Sequence, residues 1–258
     1  MNILISGSNG FLGNAIFHHL KRNKKFNVFS INRRFGDFLY NFSDKDFICP
    51  TLNVKFDLLI NCAFDYSDRV YKINNVNILI TQNLIRLCKK NNITKFLNIS
   101  SIDSSNGTDY GFLKKQIEIE VAKFSGGYTI RLGLVFIGNK NKLISKIQYM
   151  NRLIPFLQFS LGGKVIPIYI SSFDNILKTI ISYINGKLHE KIFIVTDKHF
   201  YDFNKLIAVD KPSLYFKIPI IFLIFFLKIY EFLNLPKISF NYDSLRNILK
   251  FNKNMKKN

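Results

Sequence analysis

A tyrosine and a lysine stand four residues apart in the stretch SSIDSSNGTDYGFLKK, at Tyr110 and Lys114. On a helix, residues i and i+4 lie one above the other, so the phenol and the ammonium share an edge. A free phenol ionises near pH ~10 and is a poor base at neutral pH. A neighbouring cation favours the phenolate and lowers that value. Such a tyrosine can take or give a proton at a hydroxyl or a carbonyl, and a serine hydroxyl can orient the same oxygen. The chain has 12 tyrosines and many lysines, so the spacing alone is a weak signal. A solvated helix face is the plain alternative, and the surroundings must decide.

The chain opens MNILISGSNGFLGNAIFHHLKR, with Gly7, Gly10 and Gly13 three apart, directly after an apolar run. A backbone that leaves a strand, turns sharply, approaches a pyrophosphate and enters a packed helix is hindered by a side chain at each step. The helix N-terminus then offers N–H groups and partial positive charge to phosphates. The second apolar run ends in INRRF. NAD sites usually place Asp or Glu there for the ribose 2′-hydroxyl, whereas Arg33 and Arg34 can pair with a 2′-phosphate. The cofactor expected is therefore NADP(H), with NAD(H) as the alternative.

These residues need a scaffold, and the pattern predicts one. Strands are expected over 2–6, 26–32, 56–64, 95–101 and 127–138, with helices from Asn9 to Lys21, Val70 to Lys90 and Tyr110 to Phe124. FDLLINCAF is continuously apolar, as in a strand buried on both faces. Strands alternating with helices predict an α/β chain with a doubly wound parallel sheet. Beyond Gly138 the pattern loosens. Strands are expected over 164–170 and 191–196. Helices are expected over 172–185, with Ser171 or Ser172 as N-cap, and over 218–233 and 242–251. The division expected is a dinucleotide-binding domain over 1–138 and a small α/β substrate region over 139–258, interleaved with the last strands.

Composition narrows the class. The 258 residues are 48% hydrophobic, enough for one large domain or one with an appendage. The net charge of +20 comes from scattered lysines without a basic stripe or nucleic-acid motif, so no nucleic-acid partner is expected. Cys49, Cys62 and Cys88 lack metal or redox spacing, and His18, His19, His189 and His199 lack ligand spacing, so no metal is expected. There is no G-x-S-x-G for hydrolase chemistry. With only Ile3 to Ile5 apolar at the start, no signal peptide is read and a cytoplasmic location is expected. The segment 214–236 has an apolar core of ten residues, Ile218 to Leu227, short of the about 20 that span a bilayer. A helix packed in the C-terminal region is expected there, with peripheral membrane contact as the alternative.

GSNGFLG, FDLLINCAF, VNILITQNLIRLCKKNNITKFLNISS and Y-x-x-x-K together resemble the extended branch of the short-chain dehydrogenase/reductases, the NAD-dependent epimerase/dehydratase family. The resemblance is good to about residue 138 and thin beyond. It implies a Rossmann-type fold. It implies cofactor contacts from Gly7, Asn9, Gly10, Phe11, Leu12 and Gly13, from Arg33 and Arg34, and from Ala63 on the adenosine side. It assigns Ser101 as catalytic serine, Tyr110 as acid/base, and Lys114 as ribose ligand and modulator of the tyrosine, so that Tyr110 and Lys114 also touch the cofactor. Asn77, Thr81 and Asn83 stand at familiar positions and are read as packing and capping residues, and Asp174 as structural.

The substrate implied is a nucleotide-activated keto sugar, in surface polysaccharide biosynthesis, processed by reduction, epimerisation or dehydration. Arg33 favours a reductase, and Ile102–Asp103 after Ser101 only partly match a dehydratase. A homodimer is open. Two departures stand out. Eight residues separate Ser101 from Tyr110, fewer than is usual, which leaves Ser104 or Ser105 as substitutes for Ser101. Asn139, not proline, follows Gly138. The short Ser101–Tyr110 connection and the apolar segment 214–236 support a second reading, a catalytically silent NADPH-binding subunit of a membrane complex.

Overall fold

The structure is a computed structural model that describes residues 1–66, 74–105, 108–138, 140–153, 157–160, 167–210 and 216–219, with Phe222 and Phe225. In chain order the first elements are β1 (Asn2–Ser6), α1 (Phe11–Lys21), β2 (Asn27–Asn32), β3 (Phe38–Leu39), β4 (Leu58–Asn61), α2 (Val76–Lys90) and β5 (Lys95–Ser101). A short 3-10 turn, Ile102–Ser105, leads to α3 (Asp109–Ala122) and β6 (Gly127–Leu132). There follow β7 (Leu134–Phe136), α4 (Lys142–Leu153), β8 (Leu157–Ser160), β9 (Pro167–Ser172), α5 (Phe173–Ile184) and β10 (Ile192–Val195). The last are β11 (Phe200–Asp202), α6 (Phe203–Ile207) and β12 (Phe216–Pro219).

The chain forms two units. The first comprises Met1–Leu132 and Asp174–Val195. Its seven-stranded sheet runs β10-β6-β5-β4-β1-β2-β3, and every pair is parallel. Ile3 pairs with Val28 on one side and Leu58 on the other. Ile3, Leu4, Ile5, Leu58, Leu59 and Ile60 are completely buried, so these strands are apolar at successive positions rather than at alternate ones. Phe56 closes the base of the sheet, edge-on to Phe29 at 5.4 Å and to Phe38 at 5.8 Å. From β1 the chain proceeds to β2 on one side, while β4 lies on the other. That reversal opens a crevice beyond the carboxyl end of β1, where open α/β sheets bind ligands.

The second unit comprises Gly133–Phe173 and the chain from Thr196. Its sheet runs β11-β9-β7, and β12 pairs parallel with β8. The single strand expected over 127–138 is two. At Gly133 the chain leaves the main sheet, its N–H donating to Ser171 Oγ at 2.8 Å. A Cβ at Gly133 would lie 2.3 Å from Tyr169 O. Ser171 is thus taken up by Gly133, and Ser172 Oγ donates to Asp197 Oδ1 at 2.9 Å.

Helix α4 carries no sequence expectation; Asn151 Nδ2 ties it to Ile207 O at 2.9 Å. Ile218 and Pro219 end β12 where a helix start was expected, because the residue before a proline is biased to extended backbone. The rest of 214–236, apart from Phe216, Lys217 and helical Phe222 and Phe225, lies outside the described residues, as do the helix expected over 242–251 and the tail. Among the described residues no helix is long and apolar enough to cross a membrane.

Candidate functional site

The glycine turn is built on two close approaches. Gly7 follows β1 with φ of +73°, and a Cβ there would lie 2.5 Å from the Ala63 backbone nitrogen beyond β4. A Cβ on Gly13 would lie 2.3 Å from the Gly7 carbonyl oxygen. Gly10 N–H donates to that same carbonyl at 2.9 Å and occupies the N-cap of α1. Among the described residues no side chain caps α1. The first turn of a helix lacks intrahelical acceptors for its N–H groups, and here the turn presents them beside a space kept clear of Cβ atoms. This donor set fits the pyrophosphate of a dinucleotide.

A cleft of about 400 Å³ opens beside the turn. It gathers Gly7, Asn9, Gly10, Arg33, Arg34 and Ala63 on its wall. Phe11, Leu12 and Gly13 are not part of that wall, and Gly13 is buried in the packing of α1. Asn9 has a further task, since its Nδ2 donates to Phe35 O at 3.0 Å and ties down the arginine loop.

Sequence reading missed Asn32, at the end of β2. Its Oδ1 accepts from Gly7 N–H at 3.0 Å, and its Nδ2 donates to Ser8 Oγ and Phe35 O, both at 2.8 Å. Also missed was the apolar end of the cleft, Ile31, Tyr40, Phe42 and Ile80. Buried Asn83 shapes it by donating to the Phe42 and Asp44 carbonyls, both at 3.0 Å. Residues 40–57 hold no strand or helix, so no periodicity marks them.

Tyr110 and Lys114 lie on α3 in the same unit. The Lys114 ammonium is 5.7 Å from the centre of the Tyr110 ring and 4.1 Å from that of Phe64. Phe64 meets Tyr110 edge-on at 5.6 Å and Tyr66 at 4.7 Å, and the Tyr66 side chain hydrogen-bonds to Tyr110. Phe64 and Tyr66 also line the cleft, so they bridge it to the tyrosine–lysine pair. The aromatics in CAFDY were the available clue. Burial pulls the Lys114 ammonium down to about 8, against the opposing pull of Glu118.

The short Ser101–Tyr110 connection is held by charge and by close packing. Glu118, 4% exposed, accepts from Ser100 Oγ at 2.7 Å and from Arg131 NH2 at 2.6 Å. Arg131 NH1 reaches Ser105 Oγ at 3.0 Å. Ser105 is therefore committed to this network, while Ser104 Oγ is buried with no hydrogen-bond partner among the described residues. Ser101 Oγ donates to Asp103 Oδ2 at 3.1 Å and accepts from Asp103 N–H at 3.2 Å. Thr108 caps α3 by accepting from Gly111 N–H at 2.9 Å. A Cβ on Gly111 would lie 2.0 Å from Asp103 O, so glycine after the tyrosine lets α3 start directly against the 3-10 turn.

Residues 3–119 match the family model of the NAD dependent epimerase/dehydratase family. No curated protein matches the sequence. Among solved structures, the UDP-N-acetylglucosamine 4-epimerase from Bacillus cereus is 17% identical with a TM-score of 0.63, covering 85% of each chain. The UDP-glucuronic acid 4-epimerase from Bacillus cereus in complex with NAD is 17% identical with a TM-score of 0.63, covering 84% of this chain and 87% of the other. A UDP-galactose 4-epimerase is 12% identical with a TM-score of 0.63, covering 100% and 99%. At these identities the likeness is one of fold.

Two outcomes follow from the geometry. Gly111→Ala drives a methyl into a backbone carbonyl and lowers stability by roughly 2–4 kcal/mol, read from the urea midpoint. Lys114→Met removes a buried cation and raises stability at pH 7 by about 1–3 kcal/mol. The native lysine titrates near 8 and the unfolded one near 10.5, so the burial penalty is complete below pH 8. The advantage of Lys114→Met shrinks as pH rises from 8 towards 10.5, in denaturation curves taken across that range.

Proposed function

We propose that the chain, whose residues 3–119 match the NAD dependent epimerase/dehydratase family, is an NADP(H)-dependent reductase of a nucleotide-activated keto sugar. The observation that carries this reading is the placement of the Tyr110–Lys114 pair beside the glycine-turn cleft, with Phe64 touching both. The nucleotide-sugar class is supported by the solved structures of similar fold, whose names specify UDP-sugars. Arg33 and Arg34 on the cleft wall support NADP(H) over NAD(H).

In this reading the N-terminus of α1 and the turn at Gly7 and Gly10 receive the pyrophosphate. Arg33 pairs with the 2′-phosphate. Lys114 holds ribose hydroxyls and, when charged, stabilises the Tyr110 phenolate. Tyr110 delivers a proton to the sugar carbonyl oxygen, which Ser101 orients. The bound nicotinamide supplies the hydride. Glu118 and Arg131, bonded to Ser100 and Ser105, brace the short connection that links Ser101 to Tyr110. A second reading, a subunit that holds the dinucleotide without turnover, is supported by the engagement of Lys114 by Phe64 and of Tyr110 by Tyr66.

Fluorescence titration separates cofactor binding from turnover. The protein binds NADPH more tightly than NADH, and Arg33→Ala weakens NADPH by about tenfold or more, a loss of ~1.4 kcal/mol. Tyr110→Phe keeps NADPH affinity and loses at least roughly 100-fold in kcat on UDP-4-keto sugars. A preference for NADH overturns the NADP(H) assignment. NADPH binding with no turnover on any keto sugar favours the second reading.

A further inference from the structure

The end of β2 has no carboxylate to accept a ribose hydroxyl, and Asn32 is already engaged by Gly7, Ser8 and Phe35. A carboxylate nevertheless enters the cleft from another strand. Asp65, beyond β4, is the one acidic residue on the cleft wall among the described residues. Its Oδ2 lies 3.8 Å from Arg33 NH1.

The loops that carry both partners are held by asparagine amides, buried Asn77 on one side and buried Asn32 with exposed Asn9 on the other. Asn77, 2% exposed, accepts from Asp65 N–H at 2.6 Å and donates to Asp65 O at 2.9 Å. Asn75, also buried, orients Asn77 by accepting from its Nδ2 at 2.9 Å. On the opposite side, Asn9 and Asn32 both donate to Phe35 O and hold the loop that carries Arg33. Two loops from two strands are thus clamped so that a carboxylate and a guanidinium face each other across one cleft.

We propose that Asp65 is a specificity-determining residue that gives the protein dual cofactor use: its carboxylate competes with a 2′-phosphate for Arg33 and accepts the 2′-hydroxyl when that phosphate is absent. The inference rests on the reading that places the adenosine ribose at Arg33. A 2′-phosphate drawn to Arg33 comes close to a fixed negative charge, which offsets part of the attraction. A ribose without the phosphate meets a charged acceptor, and Arg33 keeps Asp65 as its counter-ion.

The test is fluorescence titration of the full chain with NADPH and with NADH, for the wild type, Asp65→Asn and Arg33→Ala. Asparagine keeps the size of Asp65 and leaves its backbone bonds to Asn77 available, and thermal melting checks the fold. Arg33→Ala weakens NADPH and leaves NADH within about twofold. Asp65→Asn tightens NADPH by roughly threefold and weakens NADH by at least as much, so the ratio of affinities rises about tenfold. If Arg33→Ala behaves so while Asp65→Asn moves neither cofactor, or both by one factor, the role of Asp65 is overturned and the site reading stands. If Arg33→Ala affects the two cofactors alike, the ribose does not lie at Arg33 and both fall.

Discussion

The contact between the Gly7 turn and the backbone at Ala63 is the constraint on which the site depends. Gly7 in the left-handed region brings the end of β1 so near the end of β4 that any Cβ would overlap Ala63. Gly13 lets α1 rest on the Gly7 carbonyl in turn. Strand, turn and helix are locked to one another by contacts that only glycine permits. The result is a helix N-terminus facing a crevice whose far wall is the β4 loop, and on that loop sit Ala63, Phe64, Asp65 and Tyr66. The same close approach therefore shapes the glycine-turn end of the cleft and delivers the residues that touch Tyr110 and Lys114.

Buried asparagines perform much of the remaining positioning. Ser6 Oγ donates to Asn61 Oδ1 at 2.8 Å, which also accepts from Ala63 N–H at 3.1 Å, and Asn61 Nδ2 donates to Asn98 Oδ1 at 3.1 Å. This chain of amides runs from the end of β1 through the end of β4 to the middle of β5. Asn32, Asn77 and Asn83 clamp three separate loops that line or shape the cleft. Amides suit this work because each carries donors and an acceptor without the desolvation cost of a charge. The buried ion pair of Glu118 and Arg131 is the exception, and it stands where the connection after β5 is shortest.

The fold was legible because it rests on local pattern. β1, β5 and β10 have the limits the apolar runs suggested to within a residue or two, and the glycine spacing marked the turn before α1. FDLLINCAF read too long as a strand, since β4 ends at Asn61 and the next residues form the loop that carries the site. Run length alone does not distinguish buried strand from buried loop. Gly133 was invisible as a boundary because its close approach is to Tyr169, distant in sequence. Tyr110 and Lys114 could be chosen from their spacing together with their place after the fifth strand expected, and the structure puts them together on α3. Asn32, Asp65 and Arg131 could not, because what each does depends on a partner distant in sequence.

The account predicts that the dinucleotide occupies the crevice from the Gly7 turn to Lys114. Hydrogen–deuterium exchange of the full chain, with and without saturating NADPH, tests this most directly. Slower exchange confined to peptides covering 7–14, 32–36, 62–66 and 110–114 is the result expected. Unchanged exchange across 7–14, with or without protection elsewhere, would contradict it and separate the glycine turn from nucleotide binding.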